Sequence, residues 1–160
     1  MRLRLPAMTI ALGALTIGAT SGSAQTLNAH IGPRVSYNFE VEEFGLGAQF
    51  SLPIARRLEL YPSFDYFFVD PGSLTSFNID LKYRVPAANF NWLYLGGGLN
   101  ITRRSVGDFS ESNTGVNLLA GYESLRGSVH PFAEARLTAG DGTAASLAAG
   151  LNITIGHSHR

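Results

Sequence analysis

The residues of this sequence that could do chemistry are few. There is no cysteine, which excludes a disulfide framework, a thiolate zinc site and a thiol nucleophile. A hydrolase needs a nucleophile, a base beside it and an acid that orients the base. Ser128, His130 and Glu134 lie near one another and offer those three residue types. His157 and His159 could clip a metal, but two histidines in the tail Gly156–Arg160 read first as polar residues. His30 and His130 fall on the polar side of alternating segments, where a hydrogen-bonded histidine is the expected state. Gly96-Gly97-Gly98 is no phosphate loop, because no helix follows it. Asn100-Ile101-Thr102 and Asn152-Ile153-Thr154 match a glycosylation pattern, yet both fall inside strand-like segments. The most organised polar set is a group of charges. Glu59, Asp65, Asp80 and Glu134 stand against Arg34, Lys82, Arg84 and Arg136, four acids to four bases. Such a balance suits an enclosed structural network, since a buried charge needs a partner. On this reading there is no catalytic residue, no cofactor and no metal site.

What must position these residues is a set of strands. From Leu27 the odd positions run Leu, Ala, Ile, Pro, Val, Tyr, Phe to Phe39, while the even positions are polar or glycine. Period two sustained over more than ten residues is the signature of a strand with one apolar face. The pattern returns at residues 44–54, 58–68, 76–85, 90–103, 114–123, 129–138 and 145–155. In the segment from Phe90 to Arg103, Leu93, Leu95, Leu99 and Ile101 share a face, but Phe90, Trp92 and Tyr94 lie on the other. A bulge near Asn91 would bring the two groups together. The breaks are rich in Gly, Pro, Asp and Ser, as turns require. The longest is Arg103–Asn113, the expected contact loop. Eight strands with short connections predict an antiparallel meander. Each is about ten residues, enough for a tilted strand to cross a bilayer.

The composition says which face is inside. Charged residues make up 15% of the 160-residue chain, and Lys82 is its one lysine. A typical soluble domain carries about 25% charge. Twelve basic residues balance twelve acidic ones, which leaves no footprint for nucleic acid. The polar faces hold Gly, Asn, Ser and Thr in place of the many Lys and Glu of a water-facing sheet. The apolar faces carry aromatics that sort by height. With the N-terminus at the bottom, Tyr37, Phe39, Phe44, Tyr66 and Phe68 fall near the top, and Tyr83, Phe90, Trp92, Tyr94 and Tyr122 near the bottom. Two such belts are what membrane interfaces select. The beginning of the chain agrees with export. Arg2 and Arg4 precede an apolar run over residues 7–19, and Gly22 and Ala24 supply the small residues before a cleavage point at Gln25. Residues 1–24 are therefore expected to be a signal peptide and residues 25–160 a single barrel domain.

Three stretches carry a resemblance to a known family: Trp92 to Asn100, Val129 to Arg136, and the closing Ala149-Gly-Leu-Asn-Ile-Thr-Ile155. With them the chain, from Leu27 to Gly156, resembles the small outer-membrane β-barrels of the OmpA-transmembrane-domain and OmpX type. The closing stretch is similar to the signal such barrels present to the outer-membrane assembly machinery, with Gly150, Ile153 and Ile155 at its spacing. It departs from the family in ending on Ile155 and a polar tail, where an aromatic residue is usual. The resemblance implies an all-β, eight-stranded antiparallel up-and-down transmembrane barrel with a filled polar lumen, set in a bacterial outer membrane. It implies a non-enzymatic role, structural or through outward loops, with the lipid bilayer and the assembly machinery as partners. Two alternatives stand beside it. One is a secreted lipocalin-like barrel around an apolar ligand, although that family's early Gly-x-Trp is missing. The other is a lipid-modifying barrel enzyme, although the His-x-Ser arrangement of some lipid-A deacylases occurs here only as His157-Ser158-His159.

Overall fold

The computed structural model describes residues 28–86 and 92–155. The expected signal peptide, Phe90, Asn91 and the histidines of the tail lie outside the described residues. The chain forms β1 (Ala29–Asn38), β2 (Glu43–Ala55), β3 (Leu58–Phe67), β4 (Ser73–Arg84), β5 (Leu93–Val106), β6 (Phe109–Glu123), β7 (Val129–Ala139) and β8 (Thr143–Ile155). Every strand pairs antiparallel with the next, and β8 returns to β1, so the sheet closes as a barrel. Closure leaves no open sheet edge, the condition for a sheet to exist in lipid.

Parity decides which side chains go where, and it works in the inverted sense. Ile31 and Val35 on β1, Phe64 on β3, Ile79 and Leu81 on β4, Leu99 on β5 and Leu147 on β8 are exposed on the outer surface. Their neighbours Arg34, Ser36, Ser63, Asp80, Lys82, Asn100 and Ala148 point inward and are buried. The outward side chains are apolar and the inward ones mostly polar, the reverse of a water-soluble barrel.

The outer aromatics form two groups. Near the top, Tyr37 packs against Phe39 and Phe44 with ring centroids 5.0 and 4.8 Å apart, and Tyr66 meets Phe68 at 5.3 Å. Near the bottom Trp92 meets Tyr122 edge-on at 5.6 Å, and Tyr83 is exposed beside them in height. Tyr94 does not belong to the lower belt, contrary to expectation: it is 1% exposed and points into the lumen. Its cross-strand partner is Gly121, and a Cβ on that glycine would overlap the phenol ring. The ring therefore lies across a site that only glycine leaves open. No bulge is needed among the described residues of β5, whose pairing with β4 runs unbroken from Ser73↔Ser105 to Arg84↔Tyr94. The irregularity that does occur lies between Pro53 and Ala55, at the lower end of β2.

The expected loop over 103–113 is also corrected. β5 and β6 stay paired as far as Val106↔Phe109, so this stretch is a projecting hairpin closed by Gly107 and Asp108. Gly107 takes a φ of 59°, which a two-residue hairpin turn demands and glycine tolerates. Arg103, Ser105 and Ser110 tie the two arms, with Arg103 Nε donating to Ser110 Oγ at 2.7 Å. Phe109 is 85% exposed near the tip.

Candidate functional site

The lumen is the candidate site, and its residues stack in three levels. At the upper level the amides of Asn78 (β4), Asn100 (β5) and Asn117 (β6) link neighbouring strands. Asn100 and Asn117 both donate to Asn78 Oδ1, at 2.8 and 2.9 Å, and Thr138 donates to Asn117 Oδ1 at 2.7 Å. A second Asn117 bond reaches down to Asp80 Oδ1 at 2.9 Å.

The middle level is built on two arginines. Arg34 Nε lies 3.1 Å from Asp65 Oδ1, and its Nη2 lies 3.4 Å from Glu134 Oε1. Arg34 also donates to the Tyr61 hydroxyl, and Ser36 donates to Asp65 at 2.6 Å. Arg136 Nη2 bridges Asp80 Oδ2 at 2.8 Å and Glu134 Oε1 at 3.0 Å. The other Glu134 oxygen accepts the Tyr94 hydroxyl at 2.9 Å.

At the lower level Lys82, with no solvent exposure, lies between the carboxylates of Glu59 (3.9 Å) and Glu123 (3.5 Å). Its ammonium also lies over the rings of Tyr61 and Tyr94, 4.0 and 4.2 Å from their centroids. Arg84 bridges the same two acids, through Nε to Glu59 and through Nη2 to Glu123 Oε2 at 2.8 Å. Ser51 donates to Glu59 at 2.5 Å, and Asn152 to Glu123 Oε1 at 2.7 Å.

All eight charges singled out from the sequence thus face the lumen. Glu59 is the cross-strand partner of Lys82, while Asp65 and Asp80 meet Arg34 and Arg136 from other strands. Sequence reasoning missed three participants. Glu123 shares the polar parity of β6 with Asn117 and Gly121, so parity alone could have found it; its inclusion makes five acids to four bases. Tyr61 shares the polar parity of Glu59 and Ser63 but carries no charge to mark it as a member of the network, whereas Tyr94, which shares the parity of Gly96, reads as an outward belt residue.

The described residues form neither an apolar ligand chamber nor the Ser128, His130 and Glu134 trio; His157-Ser158-His159 lies outside them. An apolar ligand chamber would need an apolar inward face, and the inward face here carries the charges and amides just described. The trio Ser128, His130 and Glu134 does not meet. Four residues of extended strand place His130 about 13 Å from Glu134. The oxygens of Glu134 are held by Arg34, Arg136 and Tyr94, the His130 ring contacts the Gly127 carbonyl, and Ser128 is exposed. Among the described residues one group offers metal-ligand types together: His30, Glu123 and His130, at the lower mouth.

No family model matches the chain, and no curated protein matches it. Solved structures do. The N-terminal β-barrel domain of OprF from Pseudomonas aeruginosa is similar with a TM-score of 0.60 at 20% identity, covering 79% of this chain and 97% of that one. Neisserial surface protein A follows at 0.56 and 15% identity, over 81% and 96% of the two chains. The attachment invasion locus protein Ail of Yersinia pestis gives 0.51 and 14%, over 80% and 97%. The chain therefore has the eight-stranded antiparallel fold of the small outer-membrane β-barrels, the family its sequence resembles.

Proposed function

We propose that this protein is exported through its N-terminal signal peptide and resides in a bacterial outer membrane as a non-enzymatic barrel. The observation that carries the reading is the inversion of faces. Leucines, isoleucines, valines and phenylalanines are exposed all round the outside, while arginines, a lysine and carboxylates are buried within. In water that exterior would be a single apolar surface far larger than soluble monomers tolerate. In a bilayer it is the lipid contact, bounded by the two aromatic groups. Both chain ends leave the described barrel at the lower mouth, which faces the periplasm, and the β5–β6 hairpin stands on the outer side. The lumen is filled by its own side chains, as an eight-stranded barrel dictates, so the protein is not an open pore. Its charges form a structural network. Contact with other molecules falls to the upper connections and the projecting hairpin. β8 is the segment offered to the assembly machinery, with Leu151, Ile153 and Ile155 alternating on the exposed face.

Cell fractionation tests this reading, together with gel mobility. The protein should sediment with outer membranes, lack residues 1–24, and run at different positions before and after heating, since detergent alone does not open a closed ladder. A monomer soluble without detergent, with one mobility heated or unheated, would overturn it.

A further inference from the structure

His30, Glu123 and His130 come from β1, β6 and β7 and meet at the lower mouth of the lumen. The sequence assigns them no metal, because the histidines are one hundred residues apart and show no ligand spacing. The barrel supplies the proximity. One donor atom from each residue lies within 4.8 Å of the others, and the two imidazole centroids are 4.9 Å apart. His30 is 8% exposed and His130 6%. Buried this far, a ring nitrogen should have a partner, yet among the described residues Nδ1 of both histidines has none.

The surroundings prepare these atoms for a cation. His130 Nε2 lies 2.9 Å from the Gly127 carbonyl, which can only accept, so Nε2 carries the proton. The neutral ring then keeps a free lone pair on Nδ1, the atom 3.9 Å from Glu123 Oε1. A histidine whose second nitrogen donates to a carbonyl is the usual arrangement behind a metal ligand. Glu123 divides its two oxygens. Oε2 holds Arg84 and Lys82, while Oε1 faces His130 and accepts only from Asn152. That amide is itself held by Gln49 at 2.8 Å.

We propose that His30, His130 and Glu123 form a binding site for a divalent cation of the zinc class. Two imidazoles and one carboxylate match the ligand set of zinc, whose fourth position water can fill. Hard cations such as Mg²⁺ and Ca²⁺ prefer sites built of oxygen. Tetrahedral bonds of about 2.1 Å put ligand atoms about 3.4 Å apart. The three residues must therefore draw in by roughly 1 Å, a movement their side-chain torsions can supply. Arg84 and Lys82 oppose an added cation, but both are already engaged by Glu59 and by the far oxygen of Glu123. The site also spans the closing strand. His30 pairs with Thr154 and His130 with Asn152, both on β8, so a bound ion would clip β1 to β7 across the seam.

The test is calorimetric titration of Zn²⁺ into the full chain folded in detergent, without an affinity tag of histidines. His157→Asn with His159→Asn removes the two tail donors. One Zn²⁺ per chain should bind, unchanged by the tail substitutions, and excess Mg²⁺ should not displace it. His30→Gln and His130→Gln should each weaken binding at least ~100-fold, the most that loss of an outer-shell partner usually costs. Unheated gel mobility shows whether each variant is folded, which separates failure of the site from failure of the barrel. If a variant does not fold, nitrogen NMR of the unsubstituted protein decides: Zn²⁺ should shift Nδ1 of His130 and leave Nε2 protonated. Absence of binding, binding lost with the tail histidines, equal competition by Mg²⁺, or an unmoved His130 Nδ1 would each overturn the proposal.

Discussion

The middle level of the lumen predicts that losing an arginine costs more than losing a glutamate. Asp65, Asp80 and Glu134 share two cations, Arg34 and Arg136, so this level already has one carboxylate too many. Arg34→Met removes the cation of Asp65, which has no other ion pair among the described residues, and leaves Glu134 with Arg136 as its ion-pair partner there. A buried charge stranded in this way costs about 3–5 kcal/mol. Glu134→Gln acts in the opposite sense. It leaves Arg34 with Asp65 and Arg136 with Asp80, two matched pairs, and sacrifices hydrogen bonds to Arg34, Arg136 and Tyr94. The amide oxygen still accepts one of these, so the loss is that of hydrogen-bond strength, about 1–3 kcal/mol. Arg34→Met combined with Asp65→Asn removes cation and anion together and should recover at least half of the single-arginine loss. The assay is urea unfolding in lipid vesicles. Trp92, the single tryptophan, sits at the lower edge of the barrel as its reporter. If Glu134→Gln cost as much as Arg34→Met, or if the double variant fell to the sum of its parts, charge balance would not be what organises this level.

Leu81→Arg and Leu99→Arg, both on the outer apolar surface, should each cost about 2–4 kcal/mol in vesicles. Asp141→Arg, in the β7–β8 turn outside the apolar band, should stay within about 0.5 kcal/mol; similar values at all three positions would contradict the lipid contact. Gly121→Ala forces the Tyr94 ring off its seat and should cost about 1–3 kcal/mol through overpacking. In a Tyr94→Ala background that penalty should shrink to the part set by the Ala133 carbonyl oxygen, which the new Cβ would meet at 2.8 Å, and an unchanged penalty would place the strain elsewhere. Trimming the hairpin by replacing residues 106–109 with a two-residue Asn-Gly turn, which keeps the Ser73↔Ser105 pair, should leave the unfolding midpoint within error, because the tip is exposed and packs on nothing in the lumen. A large fall in the midpoint would show that the hairpin belongs to the folded core.

Much of the barrel could be read in the sequence because parity survives any detail of closure. Once Ile31, Val35 and Tyr37 share a face, Arg34 and Ser36 must share the other, whatever the neighbouring strand does. The same rule placed Glu59, Asp80, Lys82 and Asn117 without knowledge of a single contact. Three things escaped it. The face of Tyr94 was misread because an aromatic residue was sorted by type, and what seats it inward is a glycine on another strand. The stretch 103–113 reads as a loop because Ser105, Gly107, Asp108 and Ser110 are turn residues. In a hairpin beyond the apolar band both faces are wet, so alternation has no apolar partner to mark it. His30 and His130 were read separately because they lie on strands that are not neighbours; only closure through β8 brings them together.

That third failure has a general cause. A meander makes most contacts between strands adjacent in sequence, so pairings such as Glu59 with Lys82 follow from counting along one hairpin. Closure adds the β1–β8 ladder, the one pairing not implied by local order. It fixes the register of the two halves of the barrel against each other. In this chain Arg34–Glu134 and His30–His130 both bridge β1 to β7 across β8. The seam, formed last along the chain, is therefore crossed by the polar contacts of greatest sequence separation, Arg34–Glu134 at 100 residues and Gln49–Asn152 at 103. A wrong register would break these contacts, since a slip of one residue turns a strand's inward charges outward and a slip of two displaces each from its partner. Removal of a seam charge should consequently favour misclosed barrels more than removal of a charge held within one hairpin. Arg34→Met should thus yield a heterogeneous population on refolding, while Glu59→Gln, whose cations Lys82 and Arg84 keep Glu123, should refold to a single mobility.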